Sequence, residues 1–350
     1  MTSRSVGARA LLVSAAFFDY EKDIVNEFER QGYETTFIDE RPSNSAAARA
    51  ILRVRRDLVG RQIERYYRQK WSEVAGAAFD LVLVIKGEVV PRWFLENLRN
   101  SNKGARFVFY SWDALDNAKN CISILDCFNE LLSFDSDDVA AWPDFSYLPL
   151  FYTKDFAPLP MDQRSTPRRF ALSFVGTLHT ERYAFVKPLF EGRARTFAFY
   201  YVQARWYFAA VKYLSREHRG VPWNEVSFQK LTRQQVAQIF RNSSAVLDIP
   251  RQGQSGMTMR TFEVLASGAV LVTTNAAITR EPFFDPARVL VLPREFADQG
   301  PDDLRAQLDK ITPADGPPDL FDNYSLESWV RAIIGGQKDT ARSNEIDTPS

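Results

Sequence analysis

Two α/β domains, each an open parallel sheet wrapped by helices, are predicted by three observations. Strand-like apolar runs alternate with helical runs along most of the chain. The alternation breaks at a proline-rich polar stretch over 153–169 and then restarts. A length of 350 residues suits two domains better than one. Strand–helix–strand alternation demands right-handed crossovers, and open parallel sheets bind ligands beyond the carboxyl ends of their strands. Two such sheets facing each other make a central cleft, so every strand-end residue is a site candidate by position.

The first half opens with ALLVSAAF as a buried strand. YEKDIVNEFERQGY follows as a helix, with Ile24, Val25 and Phe28 on one face and Gly32 at its end. ETTFIDER returns as a strand, and Ala46 to Ala75 reads as a long basic helix. FDLVLVI is a strand running into Lys86, Gly87 and Glu88, and Pro91 opens the next helix. RFVFY is a strand ending in Ser111, Trp112 and Asp113. CISILDCFNELLSF gives a short helix and a strand ending at Asp135, Asp137 and Asp138. SYLPLFY closes an N-terminal domain placed at 1–152. After the linker, 153–169, a C-terminal domain spans 170–320. It contains the strands FALSFVG, RTFAFYYV, AVLDI and AVLVTTN, and the helices TERYAFVKPLF, QQVAQIFRNS and MRTFEVLASG. A last helix is placed at 321–335, and the polar tail 336–350 is expected to be disordered.

Lys plus Arg and Asp plus Glu are balanced at 44 each, which argues against a general nucleic-acid binder. Cys121 and Cys127 match neither a metal-ligand spacing nor a disulfide framework and fit the reduced thiols of a cytoplasmic protein. The first apolar run is followed at once by Asp19, Glu21 and Asp23, which fits a strand rather than a signal peptide. No apolar stretch reaches the ~18 residues of a membrane span.

The segment LDIPRQGQSGMTMRTFEVLASGAVLVTTN carries the most chemistry. A strand ends at Ile249, a loop with Gly253, Ser255 and Gly256 follows, and a helix starts around Met257 to Thr261. The free N–H groups and positive dipole end of that helix suit a diphosphate, and the glycines let backbone approach it. Arg251 and Arg260 would add charge-assisted hydrogen bonds, and Glu263 would accept from ribose hydroxyls. The plainer alternative makes the glycines a turn and Glu263 a solvated helix residue. In SFVGTLHTER, Gly176 and Thr177 end a strand, Arg182 is placed to reach a phosphate, and His179 stands at a strand-to-helix turn. His218 reads as a surface-loop residue. Lys230 precedes a helix capped by Thr232.

On the N-terminal side the strand-end carboxylates Asp113 and Glu88 are the candidate general bases. Asp113 comes first because Trp112 beside it would stack on a sugar ring. Asp135 and Asp137 form a D-x-D, which would hold a divalent cation in a different fold; an N-cap at Ser136 or Asp137 is the simpler reading, and no metal site is assigned. The basic helix 49–71 (Arg53, Arg55, Arg56, Arg61, Arg65, Arg68, Lys70, with Tyr66, Tyr67 and Trp71) is a candidate for an anionic membrane surface or a lipid-linked pyrophosphate. Its alternative is a solvated helix paired with Asp57, Glu64 and Glu73.

Gly256, Met257, Thr258, Arg260, Glu263 and Thr273-Thr274-Asn275 resemble the donor-binding signature of GT-B glycosyltransferases. They are most similar to the spore-maturation-type (CgeB-like) branch found with surface-polysaccharide and lipopolysaccharide biosynthesis. FDLVLVIKGE, FYSWD, LLSFDSDD, YLPLFY and SFVGTLHTER resemble the same branch, so the resemblance covers about residues 10 to 335. Many retaining members carry two glutamates eight positions apart; Glu263 matches the second, but Ser255 stands at the first, so the stereochemical outcome does not carry over. The resemblance implies two Rossmann-like domains facing a central cleft. It implies transfer of a sugar from a UDP-, GDP- or TDP-sugar to a glycan or lipid-linked acceptor, hexosyltransferase-like, with no cofactor or metal, since the helix dipole and arginines would neutralise the leaving diphosphate. Location would be cytoplasmic, peripheral at the inner face of the plasma membrane. The rivals are a nucleotide-sugar epimerase of the same fold and a non-catalytic nucleotide-sugar-binding protein.

Overall fold

The structure is a computed structural model and describes residues 7–42, 56–117, 119–160, 162, 167–215, 217–250, 255–294, 300–311 and 321–336. The chain divides into two compact units. Unit 1 comprises the described residues up to Leu150 and those from Leu326 on; unit 2 runs from Phe151 to Ser325.

Unit 1 is built in the order β1 (Ala8–Ser14), α1 (Tyr20–Arg30), β2 (Tyr33–Asp39), α2 (Arg56–Val74), β3 (Leu81–Ile85), α3 (Arg92–Ser101), β4 (Arg106–Ser111), β5 (Glu130–Ser133), α4 (Ser136–Ala141) and β6 (Phe145–Tyr147). Its six strands are all parallel, in the order β2-β1-β3-β4-β5-β6. β3 is LVLVI, buried at every position, as a strand covered on both faces must be. The helices cover the sheet with Ile24, Phe28, Tyr67, Phe94, Leu95 and Leu98, all buried.

Unit 2 continues with β7 (Phe170–Thr177), α5 (Thr180–Phe190), β8 (Thr196–Tyr201), α6 (Arg205–Ala210), β9 (Val226–Ser227), α7 (Arg233–Arg241), β10 (Ser243–Asp248), α8 (Met259–Ala266), β11 (Val270–Thr273), β12 (Val289–Val291) and α9 (Pro301–Asp309). This sheet is also wholly parallel, in the order β12-β11-β10-β7-β8-β9. The chain starts in the middle, at β7, runs outward to β9, then returns to β10 beside β7 and runs outward the other way. Such a reversal is the topological switch point of a doubly wound sheet. Local chemistry sets the helix ends. Thr232 and Gln235 form a reciprocal capping box on α7, and Gly268, with φ of 75°, takes the left-handed turn after α8.

The last helix, α10 (Leu326–Gly335), returns to unit 1. Trp329 is buried and packs edge-on against Tyr110, with ring centroids 5.0 Å apart. Arg30 pairs with Glu327 at 2.6 Å. Arg106 donates to the carbonyls of Ile334 at 2.5 Å and Ile333 at 3.1 Å, satisfying the C-terminal end of the helix with a cation. Sequence periodicity predicts this helix but contains nothing about which unit receives it. The expected tail beyond it and the start of the basic helix, including Arg53 and Arg55, lie outside the described residues.

Trp329→Ala is expected to destabilise unit 1 by about 3–5 kcal/mol, because it leaves a cavity against Tyr110. Urea unfolding followed by circular dichroism checks this; an effect below ~1 kcal/mol would mean that α10 is only loosely docked.

Candidate functional site

The loops leaving the carboxyl ends of parallel strands gather on one edge of each sheet, and this places the candidates in two groups.

In unit 2, Gly176 and Thr177 end β7 and Asp248 ends β10, the two strands that flank the switch point. A Cβ on Gly176 would meet the tip of the Phe174 ring at 2.8 Å, so a larger residue here would require that ring to shift. The loop after β10 runs through Ser255, Gly256 and Met257 to the N-cap of α8, Thr258. Asp248, itself buried, accepts hydrogen bonds from Thr258 Oγ1 at 2.9 Å and Thr261 Oγ1 at 3.5 Å, which fastens the start of α8 to the end of β10. Asn275, after β11, caps the next turn through its carbonyl oxygen and donates from Nδ2 to the Ser255 carbonyl at 2.9 Å. Gly256 and Met257 are buried. The α8 N-terminus is therefore a fixed set of N–H groups rather than a loose loop.

Arg260 lies on α8 with its guanidinium carbon 5.7 Å from the Phe240 ring centroid, a cation–π arrangement. Glu263 is buried, so the solvated alternative for it does not hold. Lys230 is exposed after β9, its Nζ 5.7 Å from the Tyr201 ring centroid. His179 is the N-cap of α5, and Arg182 is partly buried in its first turn. Arg251 and Gly253 lie outside the described residues. The reading of His218 as a surface residue is corrected. It is buried, stacks on Phe208 at 6.0 Å and meets Thr180 Oγ1 through Nδ1 at 3.2 Å, and burial holds its pKa below the ordinary value. Lys212 holds that turn down by donating to the carbonyls of residues 218, 219 and 221.

In unit 1, Asp113 and Glu88 are brought together by Lys86, which ion-pairs with both; its Nζ is 3.4 Å from Glu88. Lys86 has φ of 77° and Gly87 has φ of 64°, so two successive residues are left-handed at the end of β3. Gly87 can take this turn where a Cβ would press within 3.2 Å of Ile124 and Phe109; Lys86 is held in a conformation costly for a non-glycine residue. Burial alone would lower the Lys86 pKa, but the charges of Asp113 and Glu88 outweigh it and hold that pKa above the usual value. Trp112 is partly exposed beside Asp113, with Phe17 at 6.4 Å between ring centroids; Phe17 and Phe18 are exposed after β1.

Two residues that the sequence left as a strand end join this group. Arg41 Nη2 sits 3.4 Å from Glu88, and its Nε sits 3.8 Å from Glu40. Glu40 is 0% exposed, and neither of its carboxylate oxygens has a hydrogen-bond partner. Burial pushes its pKa up to about 7, against the pull of Arg41. Alternation of apolar residues in β2 could have flagged Glu40 as inward-pointing, since it follows Ile38 by two positions.

Asp135 caps α4 itself, accepting from the Asp137 N–H at 3.0 Å; the N-cap expected at Ser136 or Asp137 is thus one or two residues earlier. Asp138 binds the Leu115 N–H and Ser133 Oγ, pinning the turn after β4. Among the described residues no cluster of three or more His, Cys, Asp or Glu side chains is arranged to hold a metal. On α2, Tyr67 is buried and Tyr66 and Trp71 pack on the core, while Arg68 pairs with Glu64 and Lys70 with Glu73. The aromatic residues of the basic helix thus point inward.

A family model described as "Glycosyl transferase-like" matches residues 190–315, wholly within unit 2. No curated protein matches the sequence. Solved structures resemble the chain along nearly all its length. Sucrose-phosphate synthase from Thermosynechococcus elongatus has a TM-score of 0.62 at 10% identity, covering 97% of this chain and 100% of its own. Anabaena HepE in complex with UDP-glucose has a TM-score of 0.59 at 9% identity, covering 96% and 99%. UDP-GlcNAc 2-epimerase from Methanocaldococcus jannaschii has a TM-score of 0.53 at 6% identity, covering 94% and 100%. The fold is therefore the two-Rossmann-unit α/β fold termed GT-B, shared with the synthase, HepE and the epimerase.

Glu40 makes a testable contribution to stability. A carboxyl whose folded pKa is raised to about 7 stabilises the fold fully below the ordinary carboxylate pKa, and that contribution is lost as pH rises through about 7. Glu40→Gln keeps the neutral state at every pH. Its stability relative to wild type is expected to improve on going from pH 5 to pH 8 by on the order of 3 kcal/mol. Parallel urea titrations across this range check it, and a pH-independent difference would show that Glu40 is already ionised at pH 5.

Proposed function

We propose that the protein is a glycosyltransferase that moves a sugar from a nucleotide diphosphate sugar to a glycan or lipid-linked acceptor. The observation that carries this reading is the fastened α8 N-terminus beside the switch point of unit 2, in the part of the chain matched by the glycosyl transferase-like model. The donor diphosphate would lie against the N–H groups of Gly256 to Arg260, with Gly176, Thr177 and Arg182 at the neighbouring strand end. The helix dipole and arginine charge would offset the negative charge that grows on the leaving diphosphate. Glu263, buried one turn into α8, would accept from the ribose.

In unit 1 the Asp113–Lys86–Glu88 group would serve the acceptor. One carboxylate takes the proton of the attacking hydroxyl, Lys86 holds both in place, and Trp112 stacks on the sugar ring. Work on surface polysaccharide at the cytoplasmic face of a membrane is part of the proposal and is supported by the sequence resemblance alone.

Thermal unfolding with UDP, GDP, TDP, ADP or CMP, each with and without EDTA, is the first test. A ligand at ~100 times its dissociation constant adds about 2.7 kcal/mol. One diphosphate is expected to raise the melting temperature whether or not EDTA is present. Arg260→Ala should weaken that binding, whereas Asp113→Asn should leave it intact and abolish turnover. The reverse pattern would overturn the roles assigned here. Conversion of the donor without any acceptor would identify an epimerase instead, and binding without turnover in any mixture would identify a carrier.

A further inference from the structure

Among the described residues, the most exposed large apolar side chains concentrate in one short segment of unit 2 that the proposed chemistry does not use. Leu214 is 83% exposed, Trp206 74% and Tyr213 65%, with Tyr207 and Trp223 also exposed. Trp206 and Tyr207 lie on α6, and Tyr213 and Leu214 on the π-helical turn Val211–Ser215 that continues it. In a plain α-helix, positions 206 and 214 would be roughly 80° apart around the axis. The π turn at Val211–Ser215 is wider, which narrows that angle. The patch is contiguous. Trp223 Nε1 donates to Tyr213 Oη at 3.3 Å, and Arg205 lies over the rings of Trp223 at 5.9 Å and Phe228 at 5.1 Å.

The base beneath is stiff. Phe208 is fully buried and packs against Trp223, Phe228 and His218, and Lys212 ties the following turn to the helix through three carbonyls. These aromatic groups are therefore held outward and are not frayed ends. Charge indicates what they would meet. From 205 to 224 the sequence has Arg205, Lys212, Arg216 and Arg219 against one acid, Glu217. Arg205 and Arg219 are exposed beside the apolar residues. Leucine and tryptophan projecting from a cationic helical surface match the interfacial zone of an anionic bilayer: acyl chains for Leu214, the headgroup boundary for the Trp and Tyr rings, and lipid phosphate for the arginines.

We infer that the α6 surface of unit 2 docks the protein onto an anionic lipid bilayer. This goes beyond glycosyl transfer and does not depend on it, and it places lipid contact on a different segment from the basic helix of unit 1.

The test is co-sedimentation of the full-length protein with vesicles of phosphatidylcholine alone or with phosphatidylglycerol, at low and high salt. Wild type is expected to bind the phosphatidylglycerol vesicles, more weakly as salt rises. Trp206→Ser with Leu214→Ser should weaken binding about a hundredfold. Arg205→Glu with Arg219→Glu should abolish the preference for anionic lipid. Both pairs change exposed side chains, so an unchanged melting temperature is the folding control. No vesicle binding by wild type overturns the proposal, as does undiminished binding by the Trp206/Leu214 variant. Self-association, or binding of a soluble glycan, that this variant abolishes while vesicles go unbound would assign the patch to a second copy or to carbohydrate.

Discussion

Everything functional in this molecule depends on the parallelism of its two sheets. Each parallel strand must be followed by a crossover before the next one can pair, and all crossovers begin on the same edge. Residues far apart in sequence are thereby delivered to one place without any contact between them having to be specified. Thr177, Asp248 and Asn275 lie at neighbouring strand ends because β7, β10 and β11 are adjacent and point the same way. The reversal between β7 and β10 is the point at which open α/β sheets generally leave a crevice beyond their strand ends, and the α8 N-terminus follows β10 there.

The two edges solve different electrostatic problems. In unit 2 a strand-end carboxylate, Asp248, is spent inside the protein, holding two threonine hydroxyls so that the N–H groups of α8 stay where they are. In unit 1 the charges remain in one another's company. Lys86 and Arg41 stand among Glu40, Glu88 and Asp113, and the lysine backbone is bent into a left-handed turn to do so. A buried carboxyl without a hydrogen-bond donor is costly, and a fold selected for stability alone would replace Glu40. Its place beside Arg41 and Glu88 couples its protonation to their charges.

Much of the fold was legible because its signals are local. β3 reads LVLVI, Thr232 and Gln235 sit at capping-box spacing, and Gly268 follows a helical run, so each element declares itself within a few residues. The candidate sites followed from position at strand ends, which needs only the order of elements. What escaped was long-range or depended on burial. His218 looks exposed in a polar loop until Phe208 and Lys212 are seen to draw it in. Glu40 looks like a solvated strand end until Tyr66 and Tyr67 of α2 close over that segment, donating to the carbonyls of Asp39 and Glu40. Asp135 displaced the expected cap because its own side chain reaches the N–H two residues on. Arg251 and Gly253, central to the expected phosphate loop, fall outside the described residues.

The docking of α10 has a consequence for how the protein is made. Unit 2 is one continuous stretch, complete once Ser325 has emerged from the ribosome. Unit 1 begins first but finishes last, because the surface around Tyr110 is sealed only when Trp329 arrives. During synthesis the earlier-made half must therefore wait with an apolar face uncovered while the inserted half folds, an interval in which a nascent chain is most exposed to aggregation and most in need of a chaperone.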